Sequence, residues 1–482
     1  MEKRLLKTFF ITFLFLMGYS FIASRYFPKS PSPIIQQTVE LQQKEQPKTE
    51  KEITINEEAN LPTVSIDNFH ITYSSRGGYI KKISSKTYGE DLIFKNIGLI
   101  QQDDSKEFTP SLQSDRIIFT SPKGDRKEFI FQKDIIRIKL FYAAESMVLF
   151  SNSLSNNALD QGYQETFSFY NDDLQRKTFK NIKDKAEIAF KNVQFAGIRD
   201  KYFCISLLKG TYNIIWKKNK NDVYLISVSP ASETSLYLGP QIENQLKPYG
   251  LQGIINYGFF HAIGAGLSWL LHFFYSLSKS WGASIVLFAV FVYALLFPFT
   301  AKSTKAMKRM AEIQPEVEEL RKKYKDNPQK LNKETLELYK KYKINPLGGC
   351  LPMLLQFPVF IALYQVLLRF VELKGVSFLW IKDLSLPDHA FKLPFPPPVD
   401  YINILPIFIA ILGLLQQKLV TASSAPSEQK TMGLFFSVFM GVIFYGFPAS
   451  LTLYWSIQNL LSFAYQMRVG RARVSGGVLN HP

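Results

Sequence analysis

Residues 344–368 read INPLGGCLPMLLQFPVFIALYQVLL, a run without a single charged side chain. An α-helix needs about 20 mostly apolar residues to cross the hydrocarbon core of a bilayer, so this run is long enough to cross. Asn345-Pro346 and Gly348-Gly349 stop any helix that arrives from the preceding segment. The stretch therefore predicts a membrane-spanning helix that begins close to these helix breakers.

Further apolar stretches lie on both sides of this run. The predicted spans after the N-terminal segment are about 281–300, 347–368, 401–417, 432–446 and 449–467. The last two come from one uncharged run, 431–467, which is too long for a single crossing. Gly446 and Pro448 near its middle predict a tight turn that divides it. Together with an N-terminal span, these stretches predict an α-helical polytopic membrane protein with six spans.

The N-terminal segment, residues 1–25, places Lys3, Arg4 and Lys7 before an apolar run. This arrangement is typical of a signal peptide or a signal anchor, and we interpret it as an uncleaved signal-anchor span. Residues 26–60 are rich in Pro, Gln, Glu and Lys and have almost no aromatic side chains. That composition cannot form a core, so it predicts a flexible linker.

Residues 61–250 contain short runs such as RIIFTS, KEFIFQ and DVYLISV, which are separated by Asn, Asp, Gly and Ser. Many short β-rich runs with turn residues between them predict a β-sandwich domain. The carboxylates are dispersed, and the Ser and His residues form no recognisable catalytic motif. Cys204 is the only cysteine in this region, and no Cys/His spacing indicates a metal site. We therefore expect no catalytic residue, no cofactor and no metal.

Residues 251–278 are apolar but carry His261, Ser268, His272 and Ser276. Their large apolar side chains recur at helical spacing, which predicts a helix. A transmembrane helix and an interfacial amphipathic helix both fit this pattern. The interfacial helix is the preferred interpretation.

Residues 301–346 hold more Lys and Arg than Asp and Glu. Pro315 fits the first turn of a helix that carries acidic residues at its start and basic residues at its end, in agreement with the helix dipole. Asn327-Pro328 begins a second helix. The segment predicts a solvated helical hairpin, and a docking or lid element is the functional alternative.

The distribution of basic residues predicts the orientation of the chain, whose formal net charge is +17. Six spans that start from a cytoplasmic N-terminus place the β domain outside. They place the basic hairpin, the loop 418–430 and the Arg-rich C-terminal tail in the cytoplasm, as the positive-inside rule requires. An additional span within 251–278 would move the hairpin to the outside, which counts against it.

Several stretches resemble one known family. The segment NPLGGCLPMLLQFPVFIALYQVL closely resembles the third membrane span of the YidC family, and QPEVEELRKKYKDNPQKL resembles its first cytoplasmic loop. GFPASLTLYWSIQNL is similar to the family's final turn and sixth span. AGIRDKYFCISLL and SLYLGPQ resemble segments that close its large periplasmic domain in Gram-negative members. The resemblance covers most of the chain after about residue 190.

This resemblance implies a membrane protein insertase and chaperone of the bacterial inner membrane, not an enzyme. The insertase core would be the five spans within 279–482. They would enclose a hydrophilic groove that is open to the cytoplasm and to lipid. The implied partners are nascent inner-membrane proteins, the ribosome, the Sec translocon (SecYEG and SecDF) and membrane lipids, with no role for DNA.

The resemblance also implies which side chains line the groove. The matching positions are Tyr293, Gln356, Tyr454, Trp455, Gln458 and Asn459. For Tyr454 and Trp455, an interfacial aromatic belt or ordinary packing is the alternative role.

One groove position departs from the family pattern. Most bacterial members have an Arg in the second span, five residues before a Pro, and here Tyr293 stands five residues before Pro298. The groove therefore lacks its usual fixed positive charge. Lys302 and Lys305 lie near the predicted inner mouth, and Arg369 lies at the outer end of the third span. We hypothesise that the Tyr293 hydroxyl forms hydrogen bonds and keeps the groove hydrated.

Other classes of function predict features that are missing from the sequence. A polytopic transporter or channel with a periplasmic binding domain would predict paired intramembrane charges and often an internal repeat. An intramembrane enzyme would predict a HExxH motif, a GxSxG motif with a later His, or paired aspartates within the spans. The predicted spans exclude a dedicated nucleic-acid binder, although the basic loops and tail are suited to contact ribosomal RNA.

Overall fold

The computed structural model describes residues 61–86, 89–103, 105–153, 163–257, 260–325, 327–344, 351–394, 401–420 and 427–475. The predicted signal anchor and linker lie outside these residues. The chain divides into two compact units that meet in sequence at Ile255 and Asn256. The described strands of the first unit form a β domain, and the second unit is mainly helical.

The β domain contains two antiparallel sheets. Its strands are β1 (Thr63–Ile66), β2 (Phe69–Ser74), β3 (Tyr79–Ser85), β4 (Gly89–Ile97), β5 (Thr109–Leu112), β6 (Arg116–Thr120), β7 (Arg126–Gln132), β8 (Ile135–Leu140), β9 (Ser146–Ser153), β10 (Glu165–Tyr170), β11 (Asp173–Thr178), β12 (Glu187–Val193), β13 (Phe195–Arg199), β14 (Phe203–Leu207), β15 (Tyr212–Asn219), β16 (Asp222–Val228) and β17 (Glu233–Pro240). One sheet has the order β1-β2-β3-β4-β9-β16-β15-β12. The other has the order β11-β10-β13-β14-β17-β8-β7-β6-β5.

The sheets pack face to face because alternate residues along the strands are apolar. In β8, Ile136 and Ile138 are fully buried while Arg137 between them is exposed, as the alternation of side chains along a strand requires. The two sheets touch through aromatic side chains, for example the rings of Tyr73 in β2 and Phe119 in β6, whose centroids are 5.8 Å apart. The predicted β-sandwich is confirmed.

The β domain extends further along the chain than the expected boundary at residue 250. After a short helix α1 (Glu243–Leu246), the side chains of Leu251 and Ile254 are fully buried in the same core cluster as Cys204 and Tyr237. Burial in the β core explains why these residues do not begin the amphipathic helix expected from 251. That helix starts only at His261.

The helical unit contains the rest of the described elements. Its helices are α2 (His261–Ser278), α3 (Trp281–Glu312), α4 (Gln314–Lys323), α5 (Pro328–Lys341), α6 (Leu351–Leu368), α7 (Ile404–Val420), α8 (Ser427–Phe444) and α9 (Ala449–Ser475). A 3-10 turn (Val371–Leu373) and a short hairpin of β18 (Phe391–Lys392) and β19 (Tyr401–Ile402) lie between α6 and α7. The chain turns between Phe444 and Ala449, where Gly446 and Pro448 predicted a break.

Helix α3 is longer than the span expected at 281–300. It continues without interruption into the charged segment and ends at Glu312, with Pro298 inside it. Among the described residues, Trp281–Ala306 is the stretch of helix long and apolar enough to cross a membrane. Gln356–Leu368, Ile404–Leu419 and Gly433–Phe444 are shorter apolar helices.

The basic hairpin begins at α4 rather than at residue 301. Asn327 caps α5, since its side chain accepts a hydrogen bond from the Lys330 amide at 3.0 Å. The base of the hairpin is held by an apolar cluster that includes Val317 of α4 and Ile344, which follows α5. The two helices leave their basic side chains at the surface, as a solvated hairpin requires.

Candidate functional site

Helix α9 carries four of the six predicted groove residues. It packs against α3, α6 and α7. Residues four apart lie on the same side of a helix. Tyr454 and Gln458 therefore share one face of α9, and Trp455 and Asn459 share the adjoining face. This geometry lets α9 present polar groups to several neighbouring helices at one level.

Two hydrogen bonds link α9 to α3 in opposite directions. The Tyr293 hydroxyl of α3 donates to the carbonyl oxygen of Leu461 at 3.2 Å. The Gln458 side-chain amide of α9 donates to the carbonyl oxygen of Ala289 at 3.0 Å. Ala289 and Tyr293 are themselves one helical turn apart. Each helix thus offers one side-chain donor and one backbone acceptor to the other.

A third hydrogen bond links α9 to α6. The Gln356 side-chain amide donates to the Tyr454 hydroxyl at 2.6 Å. Tyr454 is fully buried, and its ring packs against Phe288 of α3 with a centroid distance of 5.8 Å. Tyr454 therefore lies within the interface between three helices and is not open to the surface in this structure.

The remaining two predicted residues point towards other neighbours. The Trp455 indole packs against Phe360 of α6 and Phe444 of α8, at centroid distances of 5.0 Å and 5.5 Å. The Asn459 amide donates to the Trp455 carbonyl oxygen within the same helix at 2.8 Å. Trp455 and Asn459 are both partly exposed. They are closer to the surface than Tyr454.

Gln416 of α7 belongs to the same arrangement although the sequence reading did not select it. Its side-chain amide donates to the Asn459 carbonyl oxygen at 2.8 Å. The signal in the sequence was a pair of amides, Gln416 and Gln417, at the end of an otherwise apolar predicted span. We call Tyr293, Gln356, Gln416, Tyr454, Gln458 and Asn459 the polar layer.

The polar layer consists of neutral groups. The cationic side chains considered from the sequence lie outside it: Lys302 and Lys305 are exposed further along α3. Arg369 donates to the carbonyl and side-chain oxygens of Gln365 at the end of α6. In the described ranges, no three His, Cys, Asp or Glu side chains come close enough together to hold a metal ion. The layer is therefore suited to bind and release hydrogen-bonding groups.

A second set of buried polar groups lies in the β domain. Lys127 of β7 is fully buried, and its ammonium group lies 3.0 Å from the Asp103 carboxylate and 2.7 Å from the Gly77 carbonyl oxygen. The Asp103 carboxylate also lies 2.8 Å from the Lys106 ammonium group and accepts a hydrogen bond from the Tyr142 hydroxyl. We call Asp103, Lys106, Lys127 and Tyr142 the ion cluster.

Burial and pairing act in opposite directions on the pKa values of this cluster. Burial lowers the pKa of Lys127 to about 8, against the attraction of Asp103. Burial raises the pKa of Asp103, but the charge of Lys127 and the hydrogen bonds from Lys106 and Tyr142 outweigh it and hold that pKa below its usual value. Each of these groups is ion-paired or hydrogen-bonded to another member of the cluster, so we assign the cluster a structural role.

Two family models match the chain in the order of its two units. The model described as YidC periplasmic domain matches residues 152–270, and the model described as 60Kd inner membrane protein matches residues 273–475. The β-sandwich and the helical region that follows it define a class of membrane protein with a large soluble domain. With both family models matched in this order, the chain belongs to the YidC family.

The curated relatives agree with this assignment. The membrane protein insertase YidC of Pelobacter propionicus is 33% identical over 327 residues, which are 64% of this chain and 59% of that protein. The insertase of the same name from Cupriavidus taiwanensis is 41% identical over 244 residues, which are 50% of this chain and 41% of that protein. The chain thus spans 41% to 59% of the length of these two relatives.

A solved structure is also similar. The crystal structure of an active YidC insertase with its first transmembrane domain resolved aligns at a TM-score of 0.44 and 17% identity, covering 84% of this chain and 93% of that chain. A likeness at this level carries no argument about the fold or the function.

Proposed function

We propose that this protein is a membrane protein insertase of the bacterial inner membrane. It receives nascent inner-membrane proteins at the polar layer, releases their apolar segments into lipid and helps them to fold. The observation that carries the proposal is the polar layer itself, in which neutral side chains of α3, α6, α7 and α9 are hydrogen-bonded at the level of a predicted span. The names of the curated relatives support it.

The proposed topology has six spans, with both termini in the cytoplasm and the β domain in the periplasm. The five spans of the core correspond to α3, α6, α7, α8 and α9. The basic hairpin of α4 and α5 then lies in the cytoplasm, where its charge suits a ribosome. The Sec translocon, SecYEG with SecDF, is the proposed second partner, and the surrounding lipids receive the client.

The physical task of such a layer is to lower a desolvation barrier. A polar segment that enters hydrocarbon loses its hydrogen bonds to water, which costs several kcal/mol for each unpaired group. The polar layer offers replacement donors and acceptors part-way across the membrane. Because hydrogen bonds are only exchanged, the process needs neither a nucleophile nor a covalent step.

The burial of the polar layer supports a proposed order in which a client meets its side chains. Tyr454 is fully buried, whereas Tyr293 and Gln458 are partly exposed at the contact between α3 and α9. A client would therefore meet Tyr293 and Gln458 first and take over their hydrogen bonds. Separation of α3 from α9 would then expose the inner bond between Gln356 and Tyr454.

Site-specific photo-crosslinking tests this proposal. We would place a photoreactive amino acid at Tyr293 and, separately, at Gln458, in cells that hold ribosomes stalled on a short inner-membrane protein. The matched control is Phe291, which is exposed on α3 two residues from Tyr293. Leu112 in the β domain serves as a distant control.

The proposal expects strong crosslinks to the nascent span from Tyr293 and Gln458, weaker ones from Phe291, and none from Leu112. Crosslinks from neither Tyr293 nor Gln458, at normal protein levels, would contradict it. That result would reopen the alternative of a polytopic transporter or channel with a periplasmic binding domain.

A further inference from the structure

The loop between α6 and α7 contains a tight turn with two exposed apolar side chains. The backbone amide of Phe378 donates to the Ile381 carbonyl oxygen, and the Ile381 amide donates back to Phe378, both at 2.9 Å. At the tip, Leu379 is 72% exposed and Trp380 is 43% exposed. In water, exposing both side chains would forgo the favourable burial of apolar surface.

The backbone conformation of the exposed Leu379 is also unusual. Leu379 has a φ of +53°, in the left-handed region that disfavours residues with a Cβ. A turn of this kind ordinarily uses glycine or asparagine. A leucine that is both strained and exposed indicates that its side chain gains free energy from a contact outside the chain.

The position of the turn suggests which contact this is. The Phe378 ring packs directly against Gly282, the second residue of α3, where any added Cβ would lie 2.0 Å from it. The tip is therefore held beside the first turn of the helix that contains the spanning stretch Trp281–Ala306. If α3 crosses the membrane, its first turn lies at the interface between head groups and hydrocarbon, and the tip lies there too.

Helix α2 presents a second apolar strip near the same end of α3. Trp269, Phe273 and Leu277 follow one another at helical spacing, and all three are exposed. The helix is tied to the loop after α6 by His272, whose Nε2 lies 3.2 Å from a Glu372 carboxylate oxygen. The exposed strip and the exposed tip therefore belong to one end of the helical unit.

One cationic side chain beside the tip is available to an anionic surface. Lys382 follows the turn, is exposed, and within the described part of the chain has no carboxylate partner. The nearby carboxylates are engaged internally. Asp383 accepts from the Ser385 amide at 2.8 Å, and Asp388 accepts from the Leu405 amide at 2.9 Å and from the Trp380 indole at 3.4 Å. The indole N–H is thus partnered, and the Trp380 side chain remains 43% exposed.

We propose that Leu379 and Trp380 form a lipid anchor that enters the outer leaflet of the membrane, with Lys382 against anionic phospholipid head groups. Tryptophan prefers this interface, and a lysine beside it is attracted by anionic lipid. The bilayer is the occupant because the tip is held at the end of a spanning helix. The inference rests on the proposed function in that α3 must cross the membrane with its first turn on the periplasmic side.

Depth-dependent fluorescence quenching of the full chain in vesicles tests the anchor. We would label Leu379→Cys with an environment-sensitive fluorophore in a background of Cys204→Ala and Cys350→Ser. Leu295→Cys, on an exposed face within the predicted span, and Leu112→Cys, in the β domain, are the references. Vesicles of phosphatidylethanolamine and phosphatidylglycerol would carry spin-labelled lipids, and iodide would serve as the aqueous quencher.

The anchor predicts that lipid quenches the label at residue 379 severalfold more than the label at residue 112, with iodide showing the reverse order. If residue 295 is quenched by lipid but residue 379 only by iodide, the anchor is wrong while the spanning helix stands. If residue 295 is not quenched by lipid, the proposed topology itself fails. Protection of residue 379 from both quenchers would also overturn the anchor, because it indicates a protein contact such as a second copy of the chain.

A second variant separates lipid contact from folding of the loop. Leu379→Gly removes the apolar side chain and relieves the left-handed strain, so the turn should form at least as readily. A label at Ser377→Cys, an exposed neighbour, should then lose most of its quenching by lipid and gain quenching by iodide. If its depth does not change, Leu379 does not hold the loop in the membrane.

Discussion

The β domain and the helical unit both bury polar side chains, but they use different chemistry. In the β domain, Lys127 and Asp103 are charged, fully buried and paired at 3.0 Å. In the helical unit, the polar layer joins amides and hydroxyls, and three of its four bonds between helices end on backbone carbonyl oxygens. Tyr454 is as deeply buried as Lys127 but carries no charge.

The two kinds of buried group differ in how easily their bonds are broken. A buried ion pair is difficult to break, since removing one partner leaves an uncompensated charge in a medium of low dielectric constant. Neutral hydrogen bonds between membrane helices contribute only about 0.6 kcal/mol each on average. The ion cluster is therefore costly to open, whereas the hydrogen bonds of the polar layer can be exchanged at small cost.

The largest expected effect is the loss of one half of the buried pair. Lys127→Met keeps the length of the side chain but leaves Asp103 with a buried, undercompensated charge. We expect the free energy of unfolding of the β domain to fall by about 3–5 kcal/mol. Pulse proteolysis of the intact protein in detergent, with urea as the denaturant, measures this change.

Two variants control this prediction. Lys127→Met combined with Asp103→Leu removes both charges and should recover most of the lost stability. Lys139→Met breaks a half-exposed pair with Glu233, at 3.4 Å in the same sheet, and should change stability by less than about 1 kcal/mol. Equal effects of Lys127→Met and Lys139→Met would mean that the ion cluster does not hold the domain together.

A smaller effect on the free energy of unfolding is expected when the pH is lowered. The pKa of Asp103 is lower in the folded state than in the unfolded state, where it is about 3.9. Ionised Asp103 therefore stabilises the fold at pH values above about 3.9, and this stabilisation is lost as the pH falls through the pKa of the folded state. The slope of unfolding free energy against pH below about 4 should therefore be less steep in Asp103→Asn than in the wild type.

Asp134 provides a control of opposite sign. Burial raises the pKa of Asp134 in the folded state above its value in the unfolded state. Protonated Asp134 therefore contributes fully to stability below the pKa of the unfolded state, and this contribution is lost as the pH rises through the pKa of the folded state. Asp134→Asn should therefore make the loss of stability in acid steeper. If both variants changed the slope in the same direction, the assignment of these two carboxyl groups would be wrong.

The two units also differ in how far the sequence predicted them. The β-sandwich followed from short β-rich runs, and the alternation in RKEFIFQ already placed Lys127 on the same face as Phe129 and Phe131. We did not recognise the buried lysine because its partner, Asp103, comes from a separate loop. Such a pair is visible only when the fold brings two distant segments together.

In the helical unit, composition predicted apolar segments but not their limits or partners. Helix α3 runs past residue 300 because the charged residues that follow remain good helix formers. Leu251 and Ile254 look like the start of an amphipathic helix but fill the β core. Gln416 was not predicted because an amide at the end of an apolar run is typical of the boundary of a span. Its hydrogen bond to α9 depends on how the helices pack, which the sequence does not give.

A weaker effect is expected when one bond of the polar layer is removed. Gln458→Leu deletes the hydrogen bond to Ala289 and should lower the stability of the helical unit by about 0.6 kcal/mol, and by no more than about 1.7 kcal/mol. Thermal unfolding in detergent, compared with Gln466→Leu further along α9, measures the difference. A loss as large as that of Lys127→Met would contradict the idea that the layer is exchangeable.

The smallest structural effect, and the most informative functional one, is expected for Tyr293→Phe. The variant keeps the ring that packs near Phe297 and removes only the hydroxyl that donates to Leu461. Stability should change by no more than about 0.6 kcal/mol. Insertion of clients with polar segments to be moved across the membrane should nevertheless decrease, while that of uniformly apolar clients should not.

Tyr465→Phe is the matched control for this variant. Its ring also packs on Phe297, at 5.0 Å, and within the described residues its hydroxyl has no hydrogen-bond partner. It should leave both groups of clients unaffected in the same insertion assay. If Tyr293→Phe left insertion of every tested client intact, Tyr293 would be only a packing residue between α3 and α9. The helical unit would then resemble the β domain in using its buried polar groups for stability alone.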